Sequence, residues 1–84
     1  MRQIIYARDA LKTLLSIDNA TAKRIQAKVA QYAEDPASLA NQVKRLQGED
    51  RLWRLRVGDW RVLFNEDRVV VHIVRIAPRG RAYD

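Results

Sequence analysis

The chain has 84 residues, a formal net charge of +6, 48% hydrophobic and 31% charged residues, and no cysteine. This length allows one globular domain with a modest core and leaves no room for a two-domain cleft or a dinucleotide-binding fold. The missing cysteines exclude disulfides, thiol catalysis and zinc–thiolate sites, and the single histidine, His72, cannot form a histidine pair for a metal or for two-histidine acid–base chemistry.

The first nine residues, MRQIIYARD, hold an apolar run too short for a signal peptide. No stretch approaches the roughly 20 apolar residues that span a bilayer. A cytoplasmic protein with no membrane partner is expected. The run Ile4–Ala7 is β-prone and reads as a strand. Asp9 can cap a helix that carries Leu11, Leu14 and Leu15 at i, i+3 and i+4. Ser16 to Asn19 break the pattern, and Asp18 or Asn19 restarts it as an N-cap.

From Thr21 to Glu34 the apolar stripe is Ala22, Ile25, Val29, Tyr32 and Ala33. The opposite face carries Lys23, Arg24, Lys28 and Gln31, which fits either a solvated surface or a partner contact. Pro36 ends this helix. Leu39 to Gly48 reads as a connector, with Leu39, Val43 and Leu46 able to tuck under a sheet edge and Gly48-Glu49-Asp50 as a turn.

The second half is β. Trp53–Val57 and Trp60–Phe64 alternate around Gly58-Asp59, a two-residue hairpin turn. After a turn near Glu66-Asp67-Arg68, Val69–Ile76 is the richest β-branched run, and Ala77-Pro78-Arg79-Gly80 ends it. The order is strand, helix, helix, three strands.

The hairpin turn fixes a register: Val57 opposite Trp60, Arg56 opposite Arg61, Leu55 opposite Val62, Arg54 opposite Leu63. Alternation then puts Trp53, Leu55, Val57, Trp60, Val62 and Phe64 on one apolar face, and Arg54, Arg56 and Arg61 on the other. On this reading both tryptophans belong to the core rather than to a base-stacking platform. Carried into the last strand, the same parity sends Val69, Val71 and Ile73 to the core. It sends Val70, His72, Val74 and Ile76 to the arginine side, and leaves Arg75 on the core parity near the sheet end. Arg79, Arg81 and Tyr83 follow the last strand and can curl over the open face.

Of the 16 basic residues 12 are arginine, and 8 of those 12 lie between Arg51 and Arg81. Arginine suits bidentate phosphate contacts and base stacking. A polyanion such as a nucleic acid is one reading of this bias, and a solvated basic surface is the other. Arg56 facing Arg61 is unfavourable by a few tenths to about 1 kcal/mol, which a phosphate ligand would relieve.

These segments resemble the RelE/ParE superfamily of small toxins from type II toxin–antitoxin pairs. The likeness runs over the whole chain, expected to be a single RelE-like toxin domain over residues 1–84. It is carried by Asp35-Pro36, by Val43–Gly48, by Trp53–Phe64 and by Val74–Tyr83. It implies an α+β fold, a four-stranded mostly antiparallel sheet with an N-terminal helical hairpin on one face. For the RelE branch it implies a ribosome-dependent mRNA endonuclease, an mRNA interferase that inhibits translation. The ParE branch instead poisons DNA gyrase without nuclease activity. A degenerate member would only bind its antitoxin and help repress their operon.

Arg61 and Arg79 match the branch's phosphate-stabilising arginines, and Tyr83 matches its general acid or base-stacking tyrosine. This combination favours the RelE branch. Cleavage by a 2′-hydroxyl needs a base, stabilisation of the phosphorane and a proton for the leaving 5′-oxygen. Arg61 and Arg79 suit the second task. Tyr83 suits the third, its phenol ordinarily titrating near pH ~10 and brought down by cationic neighbours.

The family's paired lysines, one of them implicated as base, are replaced here by Leu52 and Arg54. Arginine is a poor base at any working pH, which leaves Arg54 an electrostatic role. His72 reads as a partly buried structural residue that assists only if it reaches the site. Arg51, Arg56, Lys44, Arg45 and Arg81 are the further RNA or ribosome contacts expected. Expected partners are a cognate antitoxin, whose acidic segment would suit the basic surface, the ribosome and mRNA, with operator DNA reached only through the antitoxin. The acids sit at caps, turns and ends, so neither metal nor cofactor is expected.

Overall fold

The computed structural model describes residues 1–48 and 51–81. Strand β1 (Gln3–Tyr6) is followed by helices α1 (Arg8–Ser16) and α2 (Asn19–Glu34), a 3₁₀ segment (Pro36–Gln42), and strands β2 (Val43–Arg45), β3 (Trp53–Val57), β4 (Trp60–Glu66) and β5 (Val70–Pro78). The strands form one mixed sheet in the order β1-β5-β4-β3-β2, with β1 parallel to β5 and the other pairs antiparallel. The α+β class and the helical hairpin are as expected, but the sheet has five strands, not four. The extra one is β2, inside the expected connector. Three residues are too few to display an alternation, and pairing with Trp53–Leu55 is what makes them a strand.

Helix α2 starts as expected at Asp18, whose carboxylate accepts from the Thr21 N–H at 3.0 Å. That bond holds its carboxyl below the usual range. The whole stripe Ala22, Ile25, Val29, Tyr32 and Ala33 is buried. Helix α1 departs from expectation. Its N-cap is Ala7, with no side-chain cap bond, and Asp9 lies in the first turn, where it meets the positive end of the helix dipole. Ala10 and Leu14, four residues apart, point inward, whereas Leu11 is 45% and Leu15 80% exposed. The short helix buries a narrower stripe than its leucines suggest.

One cluster joins these helices to the sheet: Ala10, Leu14, Ile25, Val29 and Tyr32 pack with Leu55, Val57, Val62, Phe64, Val71, Ile73 and Ile76, and Trp53 and Trp60 lie against it half-buried. Each large side chain so buried contributes roughly 1.5–3 kcal/mol. Phe64 tilts against Tyr32, ring centroids 4.9 Å apart. The Tyr32 hydroxyl donates to Glu66 Oε2 at 2.7 Å, while Glu66 Oε1 pairs with Arg2. Burial first, and Glu66 second, push the Tyr32 phenol up to about 12. This triad ties β1, α2 and the end of β4 together on the helix side.

The first hairpin has the expected register in full, Val57↔Trp60 through Arg54↔Leu63. The second does not. Phe64 pairs with Ile73 but Leu63 pairs with Arg75, so Val74 is an extra residue, a β-bulge. Beyond it the parity reverses. Arg75 and Ala77 take the open face, opposite Leu63 and Arg61, and Ile76 turns into the core opposite Val62. This corrects the expected places of Arg75 and Ile76. Val69 is also corrected: it sits exposed in the turn, not in the core. Asp67 Oδ1 accepts from the Val69 and Val70 N–H groups at 2.8 Å each, which builds that turn.

Candidate nucleic-acid interface

The face of the sheet away from the helices carries two cross-strand rows. The first runs Lys44, Arg54, Leu63, Arg75 from β2 to β5, and the second runs Arg56, Arg61, Ala77 from β3 to β5. Neighbouring strands lie about 4.8 Å apart and diagonal partners about 7–8 Å, so Arg54 and Arg75 both flank Arg61. Leu63 at 6% and Ala77 at 4% exposure are buried without joining the core cluster. The arginine stems beside them form the cover on this side. The described residues place no carboxylate on this face of β2–β5 by register. Arg54 Nε is buried and has no hydrogen-bond partner.

Arg61 is the cross-strand partner of Arg56. Its Nη1 donates to the carbonyls of Gly58 and Trp60, at 3.0 Å each, which folds the guanidinium back onto the hairpin turn. These two bonds fix its position before any ligand arrives. The same turn anchors the segment after β5: the Arg79 N–H donates to the Asp59 carbonyl at 2.8 Å, and the Arg81 N–H to the Pro78 carbonyl at 3.0 Å. The Arg75 guanidinium donates to the Arg81 carbonyl at 3.3 Å. Arg54, Arg56 and Arg61 share the open face of β3 and β4, as the hairpin register predicts, and the backbone of Arg79 is held against the hairpin turn. Tyr83 lies outside the described residues, as do Glu49 and Asp50 of the expected turn.

The other expected contacts separate. Lys44 shares the arginine face and, with Arg54, lines a shallow cavity of about 340 Å³. Arg45 lines the same cavity but lies off the arginine face. It pairs with Trp53 on the opposite parity and lays its guanidinium 6.0 Å from that ring. Arg51 is exposed with φ of +60°, a left-handed backbone that costs a non-glycine residue about 1–2 kcal/mol. Arg81 is exposed beside Arg75.

His72 is exposed on the open face, not partly buried. It pairs with Asn65 and Ile5, four residues along β4 from Arg61, or about 13 Å. It does not reach the arginine cluster. Among the described residues no group of three or more His, Asp or Glu side chains comes together to hold a metal. No helix among them is long and apolar enough to cross a membrane.

Sequence reasoning missed Arg24. Its Nη2 lies 2.8 Å from where a Cβ on Gly58 would stand. The signal was the basic face of α2, but a helix face alone does not say which turn it meets.

Arg54, Arg56 and Arg61 are cations on one face with no carboxylate beside them by register among the described residues, suited to charge on a phosphate. Residues 4–83 match the family model described as ParE toxin of type II toxin–antitoxin system, parDE. The chain belongs to this toxin family, within the RelE/ParE superfamily. A RelE–RelB complex from the archaeon Pyrococcus horikoshii shares 28% identity with it, with a TM-score of 0.75 over 96% of this chain and 98% of that one. The intact RelBE toxin–antitoxin complex of E. coli aligns with a TM-score of 0.76 at 17% identity, over 93% of this chain and 96% of that one. The isolated E. coli RelE toxin aligns at 0.77 and 16%, over 99% and 89%. The last two show the fold alone. No curated protein sequence matches the chain.

Proposed function

We propose that residues 1–84 form one RelE-like toxin domain that acts in the cytoplasm and cleaves mRNA on the ribosome, and that a cognate antitoxin neutralises it. What supports this reading is that Arg54, Arg56 and Arg61 share one face of the hairpin, with the Arg79 backbone tied to its turn and the Arg61 guanidinium held by two backbone carbonyls. In the reaction the 2′-oxygen loses its proton and attacks the adjacent phosphorus. Arg61 and Arg79 balance the charge that builds on the phosphorane oxygens. The bond to the 5′-oxygen then breaks, and Tyr83 protonates that oxygen as it leaves. The products are a 2′,3′-cyclic phosphate and a 5′-hydroxyl. The described face offers no neutral base near Arg61, since His72 is about 13 Å away. The 2′-hydroxyl proton therefore passes to solvent, its loss assisted by the surrounding cations, and the nuclease depends on the ribosome to present its substrate.

A second reading is a gyrase-directed toxin without nuclease activity, and the ParE family model favours it. Induced expression of the wild type, Arg61→Ala and Tyr83→Phe separates the two. The nuclease reading predicts growth arrest with cut mRNA for the wild type and loss of both in the variants. Growth arrest with intact mRNA and broken DNA would support the gyrase reading instead.

A further inference from the structure

We infer that Arg24 of α2 is a fourth-side wall of this site, a phosphate-binding residue that carries the RNA strand over the hairpin turn and onto the helix layer. The inference rests on the nuclease reading and extends its surface beyond the sheet.

Two contacts place it. Arg24 Nη2 packs on Gly58, 2.8 Å from the position a Cβ would take. Arg61 Nη1 binds the carbonyl of that same Gly58 at 3.0 Å. The covalent path through one glycine puts the two guanidiniums within about 10 Å of each other, on either side of a turn that has no side chain at that point. Gly58 adopts φ of +58°, and any side chain there would also collide with Arg24. The glycine thus lets two cations from different layers approach one backbone edge.

Arg24 is exposed, and no described carboxylate lies within ion-pairing distance of it. Its charge reaches Asp18 at the helix start only weakly. Arg24 finds a bare turn next to another arginine. Two phosphates of one strand, bound on either side of Gly58, would balance both charges.

The test is binding of a single-stranded RNA oligonucleotide with 2′-O-methyl sugars, which cannot be cleaved, measured by fluorescence anisotropy over a range of salt. Wild type is compared with Arg24→Met, which keeps the stem, Arg24→Lys, which keeps the charge, and Arg61→Ala. Loss of one phosphate contact should weaken binding about fivefold and lower the slope of log affinity against log salt by about 0.7. Arg24→Met should show both, Arg24→Lys should restore the slope, and the thermal midpoint should be unchanged. An unchanged slope in Arg24→Met, while Arg61→Ala lowers it, would overturn the role of Arg24 and leave the site standing. An unchanged slope in both variants would overturn this inference, since no phosphate would then lie at the hairpin turn, while the nuclease reading is judged separately by cleavage on the ribosome. A drop in midpoint with no change in slope would make Arg24 a packing residue of the turn.

Discussion

The two faces of one sheet contrast sharply. On the helix face Leu55, Val57, Val62, Phe64, Val71 and Ile73 interdigitate with α1 and α2, and the polar groups there, Tyr32 and Glu66, bond to each other. On the other face the same strands present Arg54, Arg56, Arg61 and Arg75 over only two buried apolar residues, Leu63 and Ala77. Alternation alone produces both faces from the same backbone. One face stores stability, and the other keeps like charges close together, a cost that a folded monomer gains nothing from. Cations held close together on one face are what a site for a polyanion needs before its ligand arrives.

The sharpest way to break this division is to cross the faces. Phe64→Ala on the helix face should lower the unfolding free energy by about 3–5 kcal/mol, read by denaturant unfolding. Arg61→Ala on the open face should change stability by less than about 0.5 kcal/mol, yet slow RNA cleavage about 10²–10³-fold. A stability loss in the second comparable to the first would erase the distinction.

A pH experiment sharpens the helix side. The folded Tyr32 phenol titrates near about 12 and the unfolded one near ~10. The folded state holds the proton more tightly, so this contribution is complete below pH ~10 and fades as pH climbs to about 12. Stability of the wild type should therefore fall more steeply across that window than that of Tyr32→Phe.

Smaller effects sharpen the open side. Arg56→Ala should raise stability by a few tenths of a kcal/mol, by removing the like-charge partner of Arg61, while weakening RNA binding. His72→Ala should leave the cleavage rate within about twofold of wild type, since a residue about 13 Å along the strand takes no part in the chemistry.

How far the sequence revealed this depends on local signals. Gly58-Asp59 fixes a two-residue turn, and a fixed turn fixes every side chain of the β3–β4 hairpin, so the arginine face was legible before any coordinates. The bulge at Val74 was not, because Val69–Ile76 is apolar at six of its eight positions and offers no glycine or proline to mark an extra residue. Arg75 and Ile76 exchanged places for that reason alone. Strand β2 was hidden by its length, and Arg24 by lying 34 residues before the turn it meets. Helix α1 misled through its leucines, of which only Leu14 is needed to close the core.

The central claim is that the cationic face cleaves RNA held by the ribosome. Its most direct test mixes the purified chain with ribosomes stalled on a defined mRNA and maps the 5′ ends of the products. The account predicts cuts in phase with the A-site codon, carrying 5′-hydroxyl ends, for the wild type and almost none for Arg61→Ala. Intact mRNA with wild-type protein, or equal cutting by both, would contradict it.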